Sequence, residues 1–319
     1  VESDLAKALV KPKNWKTQGS AFYGRSDMAA DYYDEYIFDK LTFSDINRPD
    51  APFVIINSTD IDTGARIPFT RSAFDLLCAD LASYPLSRAV MASAAVPGAA
   101  TPITLKSYAG KCGYQVPAWV GDAMADDRDR MGSLRAEELM SYLDGSIDWL
   151  HLVDGGISDN LGLRAFYTVF SMQDSPKAVF RQYGHEDVRY VLIISVNAAV
   201  TPKRTWSQSA ELPSAAAVLV GMNDVMMRRY AADTVRVVQD SYDKWTSAVS
   251  TPERPVGYQF VEVTFDDLPN AQERAYFNDL PTSLELEDEQ VDRLIAVGRK
   301  LLRDAPEFQH FLSAFRVAR

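Results

Sequence analysis

The 319 residues are 47% hydrophobic and 24% charged, the composition of a globular protein with a sizeable core, so disorder is excluded as the main state. A formal net charge of −11 and a pI near 4.8 argue against a nucleic-acid partner, because polyanion binding rests on Lys and Arg neutralising phosphates. With two cysteines, Cys78 and Cys112, and with His151, His185 and His310 far apart, neither a disulfide scaffold nor a metal-ligand pattern exists, and no metal or organic cofactor is expected.

In chain order, a short helix is expected to end near Pro12, followed by a polar loop and a helix over about 26 to 38. APFVIINSTDIDTGARIPFT, from 51 to 70, reads as a hairpin whose first apolar run is FVII and whose turn is Asp-Thr-Gly. SAFDLLCADLA follows as a helix with Phe74, Leu77, Cys78 and Leu81 at helical spacing, and LSRAVMASAAV continues as a small-residue helix up to Pro97. A loop is expected from about 98 to 121, then a capped helix over 133 to 145 stopped by Gly145. IDWLHLV is a strand with Asp154 at its end, and a helix over about 162 to 172 precedes a second apolar strand at 189 to 197. A long helix runs from about 212 to 246, with Leu219, Met222, Met226, Tyr230 and Val238 read as a core stripe. YQFVEVTF alternates as a strand, and Val291, Leu294, Ile295, Gly298, Leu301 and Leu302 mark a final amphipathic helix. No apolar run is long enough to span a bilayer. The sequence opens on Val1 with no signal-peptide pattern, and an upstream segment is expected. Alternating strands and helices argue for a layered α/β sheet.

The chemistry concentrates in HLVDGGISDNLG, from 151 to 162, where a strand ends in an acid and two glycines before a helix begins. Ligands of open α/β sheets sit beyond the carboxyl ends of strands, which places Asp154 in a favoured position. Gly155 and Gly156 permit a sharp turn that holds the carboxylate towards a partner. An isolated Asp-Gly-Gly is equally a turn that satisfies its own amides.

Several blocks together resemble the patatin-like phospholipase family of bacterial type. Ala92, Ser93 and Pro97, within RAVMASAAVPGAATPI, fit its Ala-Ser-x-x-x-Pro block; Asp154, Gly155 and Gly156 fit its Asp-Gly-Gly block. NSTDIDTGARIPF resembles the hairpin that precedes the Ala-Ser block, and LPTSLELEDEQVDRLIAVGRKLL the tail of bacterial members. The resemblance implies a three-layer α/β/α sandwich with a mostly parallel sheet, its N-terminal central strands missing here. It also implies one partial catalytic domain over 1–319, with 212–319 as a helix-rich C-terminal extension packed on it. The implied activity is hydrolysis of carboxylic esters of phospholipids or lysophospholipids by a Ser-Asp dyad, the substrate reached at a membrane surface. Asp154 would be the general base, and Ser93, Pro97, Gly155 and Gly156 would line the substrate site. The nucleophile should sit in a Gly-x-Ser-x-Gly elbow, yet no two of the 16 glycines are four positions apart. This chain would supply the aspartate and not the serine, and would be inactive alone. A non-catalytic lipid-binding or interaction module is the alternative. Similar bacterial members are commonly envelope proteins, so an envelope or secreted location is expected. Cys78 and Cys112 flank the Ala-Ser block and would be bridged on export; Cys78 as a buried free thiol is the competing reading.

The remaining signals are weaker. GSAFYGRS, from Gly19 to Ser26, has P-loop spacing but carries Arg25 in place of lysine and follows no strand. Ser20, Ser93 and Ser158 lack an elbow and read as caps or lining residues. His151, three positions before Asp154 in a strand, should face away from it. Asp60 and Asp62 read as turn formers, and Asn57-Ser58-Thr59 as a chance sequon.

Overall fold

The computed structural model describes residues 23–98, 100–126, 130–171, 176–182, 184–200, 206–281 and 286–317. The expected opening helix, Gly19, Ser20 and residues 282–285 of the tail block lie outside the described residues. The chain divides into two compact units, residues 1–160 and 161–319.

Unit 1 contains α1 (Arg25–Tyr36), α2 (Phe43–Ile46), β1 (Asn57–Asp60), β2 (Arg66–Pro68), α3 (Arg71–Leu76), α4 (Leu86–Ser93), β3 (Ile103–Lys106), α5 (Ala118–Ala125), α6 (Arg130–Leu143), β4 (Trp149–Asp154) and α7 (Gly156–Asp159). Its four described strands form one sheet in the order β2-β1-β4-β3, with each of these pairings antiparallel. This overturns the mostly parallel three-layer sandwich. A short turn joins β1 to β2, which forces opposite directions, and β4 returns antiparallel to both of its neighbours. Alternation of helices and strands along a sequence does not by itself fix strand direction.

The hairpin is displaced from its expected place. FVII has no regular structure, and β1 is the polar segment Asn57–Asp60 instead. Ser58, Thr59 and Asp60 are fully buried, which is tolerable because each is hydrogen-bonded: the Ser58 hydroxyl donates to the Ile67 carbonyl at 3.1 Å and that of Thr59 to the Asp154 carbonyl at 2.9 Å. Asp60 accepts from the Tyr142 hydroxyl at 2.9 Å and from Thr63 at 3.0 Å. Burial, reinforced by the neighbouring Asp60 charge, drives the Tyr142 hydroxyl above the ordinary phenol range.

Period-two alternation puts Leu150, Leu152 and Asp154 on one face of β4. Leu150 and Leu152 join Ile67, Phe69, Phe74, Ile103 and Ala92 in the unit's core. The helix expected over 72 to 82 stops at Leu76 because Cys78 turns into the left-handed region, φ 50°. There it is bridged to Cys112, with Cα atoms 5.7 Å apart. The expected loop after Pro97 contains β3, whose Ile103 is fully buried.

Unit 2 contains α8 (Leu163–Ser171), α9 (Pro176–Gln182), β5 (Tyr190–Asn197), α10 (Ala215–Val249), β6 (Gly257–Thr264), α11 (Ala271–Asn278), α12 (Asp288–Asp304) and α13 (Pro306–Val317). Here the strands are parallel, β5 beside β6, with α10 as part of the crossover such a pair needs. β6 serves two clusters: Phe260 packs with Leu163, Val238 and Tyr242, and Val261 and Val263 pack with Phe277, Val297 and Leu301. Of the expected α10 stripe, Val238 is buried, whereas Leu219, Met222 and Met226 are exposed. On α12, Val297 and Leu301 form the buried stripe and Val291 and Ile295 are exposed. Among the described residues no helix is long and apolar enough to cross a membrane.

Candidate functional site

Asp154 is the last residue of β4, and the chain leaves the strand through Gly155 into the short helix α7. Backbone bonds tie this exit to the end of the Ala-Ser helix. The Asp154 amide donates to the Ala95 carbonyl at 3.0 Å, and the Gly155 amide to the Ser93 carbonyl at 3.1 Å. On its other side β4 pairs with β1, Ser58 opposite Asp154. Gly155 lies so close to this neighbour that a Cβ would strike the Asn57 carbonyl, so the glycine is required by close approach and not by an unusual φ.

The carboxylate is asymmetrically held. Its Oδ1 accepts from the Gly156 amide at 2.7 Å, and Oδ2 has no hydrogen-bond partner among the described residues. Burial raises the Asp154 carboxyl above the ordinary carboxylate range, partly offset by the bond from Gly156. A half-buried carboxylate with one oxygen anchored, the other open and a raised pKa has the makings of a general base. His151 is exposed and sits in the alternate row of β4, away from Asp154.

Ser93, Gly155 and Gly156 are thus gathered around Asp154. Pro97 sits in the exposed turn just beyond Ala95, bridged to Ala100 and followed by Gly98 at φ 89°. The hydroxyl of Ser158 is engaged with that of Thr59 at 2.8 Å. Among the described residues no group of three or more His, Cys, Asp or Glu is placed to hold a metal ion.

Sequence reasoning missed the support beneath this turn. Asp159, whose side chain is fully buried, faces the nearly buried Arg66 at 3.9 Å. Arg66 also donates to the Asn57 side chain at 3.3 Å. These contacts fasten the base of α7 to the β1–β2 hairpin, so the segment after Asp154 is fixed at both ends. The signal was present in the spacing of two aspartates in DGGISDN and in an arginine within the alternating Arg-Ile-Pro strand. Pairing them requires a tertiary contact that no local pattern announces. The sequence marks Asp60 as a turn former, and it does receive the turn amide of Asp62 at 3.4 Å, while its other oxygen accepts from Tyr142 inside the core.

No protein-family model and no curated protein matches this chain. Membership of the patatin-like family stays a resemblance carried by the sequence blocks.

Proposed function

We propose that this chain supplies the aspartate base of a serine acyl hydrolase acting on carboxylic esters of phospholipids or lysophospholipids. The observation that carries the reading is the Asp154 carboxylate: half-buried, raised in pKa, open at Oδ2, and tethered to the end of the Ala-Ser helix. In the proposed reaction Asp154 removes the proton of a serine hydroxyl as its oxygen attacks the ester carbonyl. The protonated carboxyl then returns that proton to the departing alcohol. Water, deprotonated by the same carboxylate, attacks the acyl-serine, and the carboxyl passes that proton to the departing serine oxygen as the fatty acid is released. The desolvated carboxylate is a better base than one in water, and assistance of this kind contributes about a hundred- to ten-thousand-fold. The serine belongs to a Gly-x-Ser-x-Gly elbow, and the 319 residues contain none.

That missing elbow favours a second reading, a lipid-binding module without catalysis. Both are tested by Asp154→Asn in a polypeptide that carries this chain together with such an elbow. Ester turnover, blocked by a serine-reactive phosphonate, should fall by about three orders of magnitude or more, since dyad members act as a unit. Turnover unchanged by the substitution removes Asp154 from the mechanism. If the natural protein holds no phosphonate-reactive serine, the module reading stands.

The same substitution has a stability signature. Folding raises the Asp154 pKa, so the folded state holds the proton more tightly and ionisation costs stability. That cost is absent below the unfolded carboxylate pKa, about 3.9, and complete above the raised folded value. Asp154→Asn should therefore melt slightly higher than the parent at neutral pH, with the difference closing as pH falls through the carboxylate range. A variant that melts lower at neutral pH contradicts the desolvated carboxylate.

A further inference from the structure

Unit 1 carries a cleft built from residues other than those around Asp154. It is a cleft of about 530 Å³, within the range of about 300 to 1,000 Å³ typical of small-molecule sites. Its inner wall is aromatic: Phe69 and Phe74 are almost fully buried, and Phe43 stacks on Phe69 with ring centroids 6.1 Å apart. The irregular segment 51–54 closes one side, and there Phe53 and Val54 stand 77% and 44% exposed. Apolar side chains left uncovered at the mouth of an aromatic cleft favour an apolar occupant.

The charged groups of the lining differ in how they are engaged. Arg71 is paired with Asp75 at 3.8 Å, and Asp80 accepts from the Ala82 amide at 3.0 Å and from Ser83, which lowers its pKa. Arg48 is exposed, and its guanidinium makes no bond or ion pair with any described residue. Both carboxylates are thus engaged within the wall, Asp75 by an ion pair and Asp80 by neutral donors, and Arg48 is the lining guanidinium without a partner among the described residues. An aromatic cleft with a single uncommitted guanidinium fits an apolar tail that ends in an anion, the fork of the arginine matching a carboxylate.

We infer that this cleft is a binding site for a long-chain fatty acid, the tail lying against Phe43, Phe69 and Phe74 and the carboxylate meeting Arg48. The site is independent of the Asp154 chemistry and does not rest on the hydrolase reading. The cleft wall is also the segment fastened by the disulfide, since Phe74, Asp75 and Ala79 lie within a few residues of Cys78.

The test is calorimetric titration of the 319-residue chain with oleate below its micelle concentration, with oleyl alcohol as the uncharged twin. Oleate should bind saturably, one per chain. Arg48→Gln, at an exposed position that leaves the fold intact, should weaken oleate about tenfold and leave oleyl alcohol nearly unchanged. Ala82→Trp, which adds bulk at the exposed rim of the cleft, should weaken both. Absence of saturable oleate binding overturns the inference, as does equal weakening of oleate and alcohol by Arg48→Gln. A folded Ala82→Trp variant that binds like the parent also overturns it; if that variant does not fold, the Arg48 comparison decides alone. Tighter binding of lysophosphatidylcholine than of oleate assigns the anion to a phosphodiester and overturns the carboxylate assignment.

Discussion

The two units use polar residues in opposite ways. In unit 1 the sheet itself buries Ser58, Thr59, Asp60, Arg66 and, just past β4, Asp159. These groups satisfy one another or the backbone around the turn that holds Asp154. In unit 2 the two strands and their helices pack through Phe260, Val261, Val263 and Val238, and the described buried polar residues are Ser195 and Thr234. Thr234 is engaged by Arg164 at 2.9 Å. Buried polar groups are expensive unless paired, so their concentration beside one strand end marks where the chain fixes geometry and does not merely fill space. Unit 2 instead leaves Leu219, Met222 and Met226 in solvent on a helix stabilised by packing further along and by its cap.

The sharpest test of that contrast is removal of the Cys78–Cys112 bridge. In the chain-entropy model a loop of sequence separation 34 contributes on the order of 3 to 4 kcal/mol. Reduction should lower the unfolding midpoint of unit 1 while leaving that of unit 2 in place, as read by calorimetry of the oxidised and reduced chain. Equal shifts in both units would mean that they unfold together and that the contrast is not energetic. A smaller effect is expected from Gly155→Ala. Its methyl would press on a backbone carbonyl that cannot swing away, so the cost should be about 1 to 3 kcal/mol, confined to unit 1 and accompanied by displacement of the Asp154 turn. Full parent stability would show that the β1–β4 approach yields easily. The smallest effect is expected in unit 2. Ser214 caps α10 by accepting from the Ala217 amide at 3.2 Å, and Ser214→Ala should cost about 1 kcal/mol in denaturant melts without touching the Asp154 site.

How much of this was legible in the sequence follows the reach of each interaction. β4 was plain because Leu150 and Leu152 alternate and two glycines close the strand; β5, β6 and α12 were plain for similarly local reasons. β1 was not, since Asn-Ser-Thr-Asp becomes a buried strand only when Ile67, Asp154 and Tyr142 supply partners from elsewhere in the chain. Strand direction was not legible either, and the mostly parallel sandwich implied by the family resemblance failed on it. At the candidate site, Asp154 and its glycines stood out from local pattern, and the Ser93 block was joined to them only through a family resemblance. The Arg66–Asp159 contact escaped because charge pairing across a hairpin leaves no periodic trace. On α10 the apolar spacing was read correctly and its burial was not: periodicity reports which residues share a face, not whether anything covers that face.

The bridge between Cys78 and Cys112 encloses α4 and β3 in one covalent ring. A protease that cuts anywhere between residues 79 and 111 therefore cannot separate the pieces. The part before the cut stays attached through the bridge to the part carrying Asp154, and both remain one molecule until a reductant arrives. Such a nick would be silent on a non-reducing gel and visible on a reducing one.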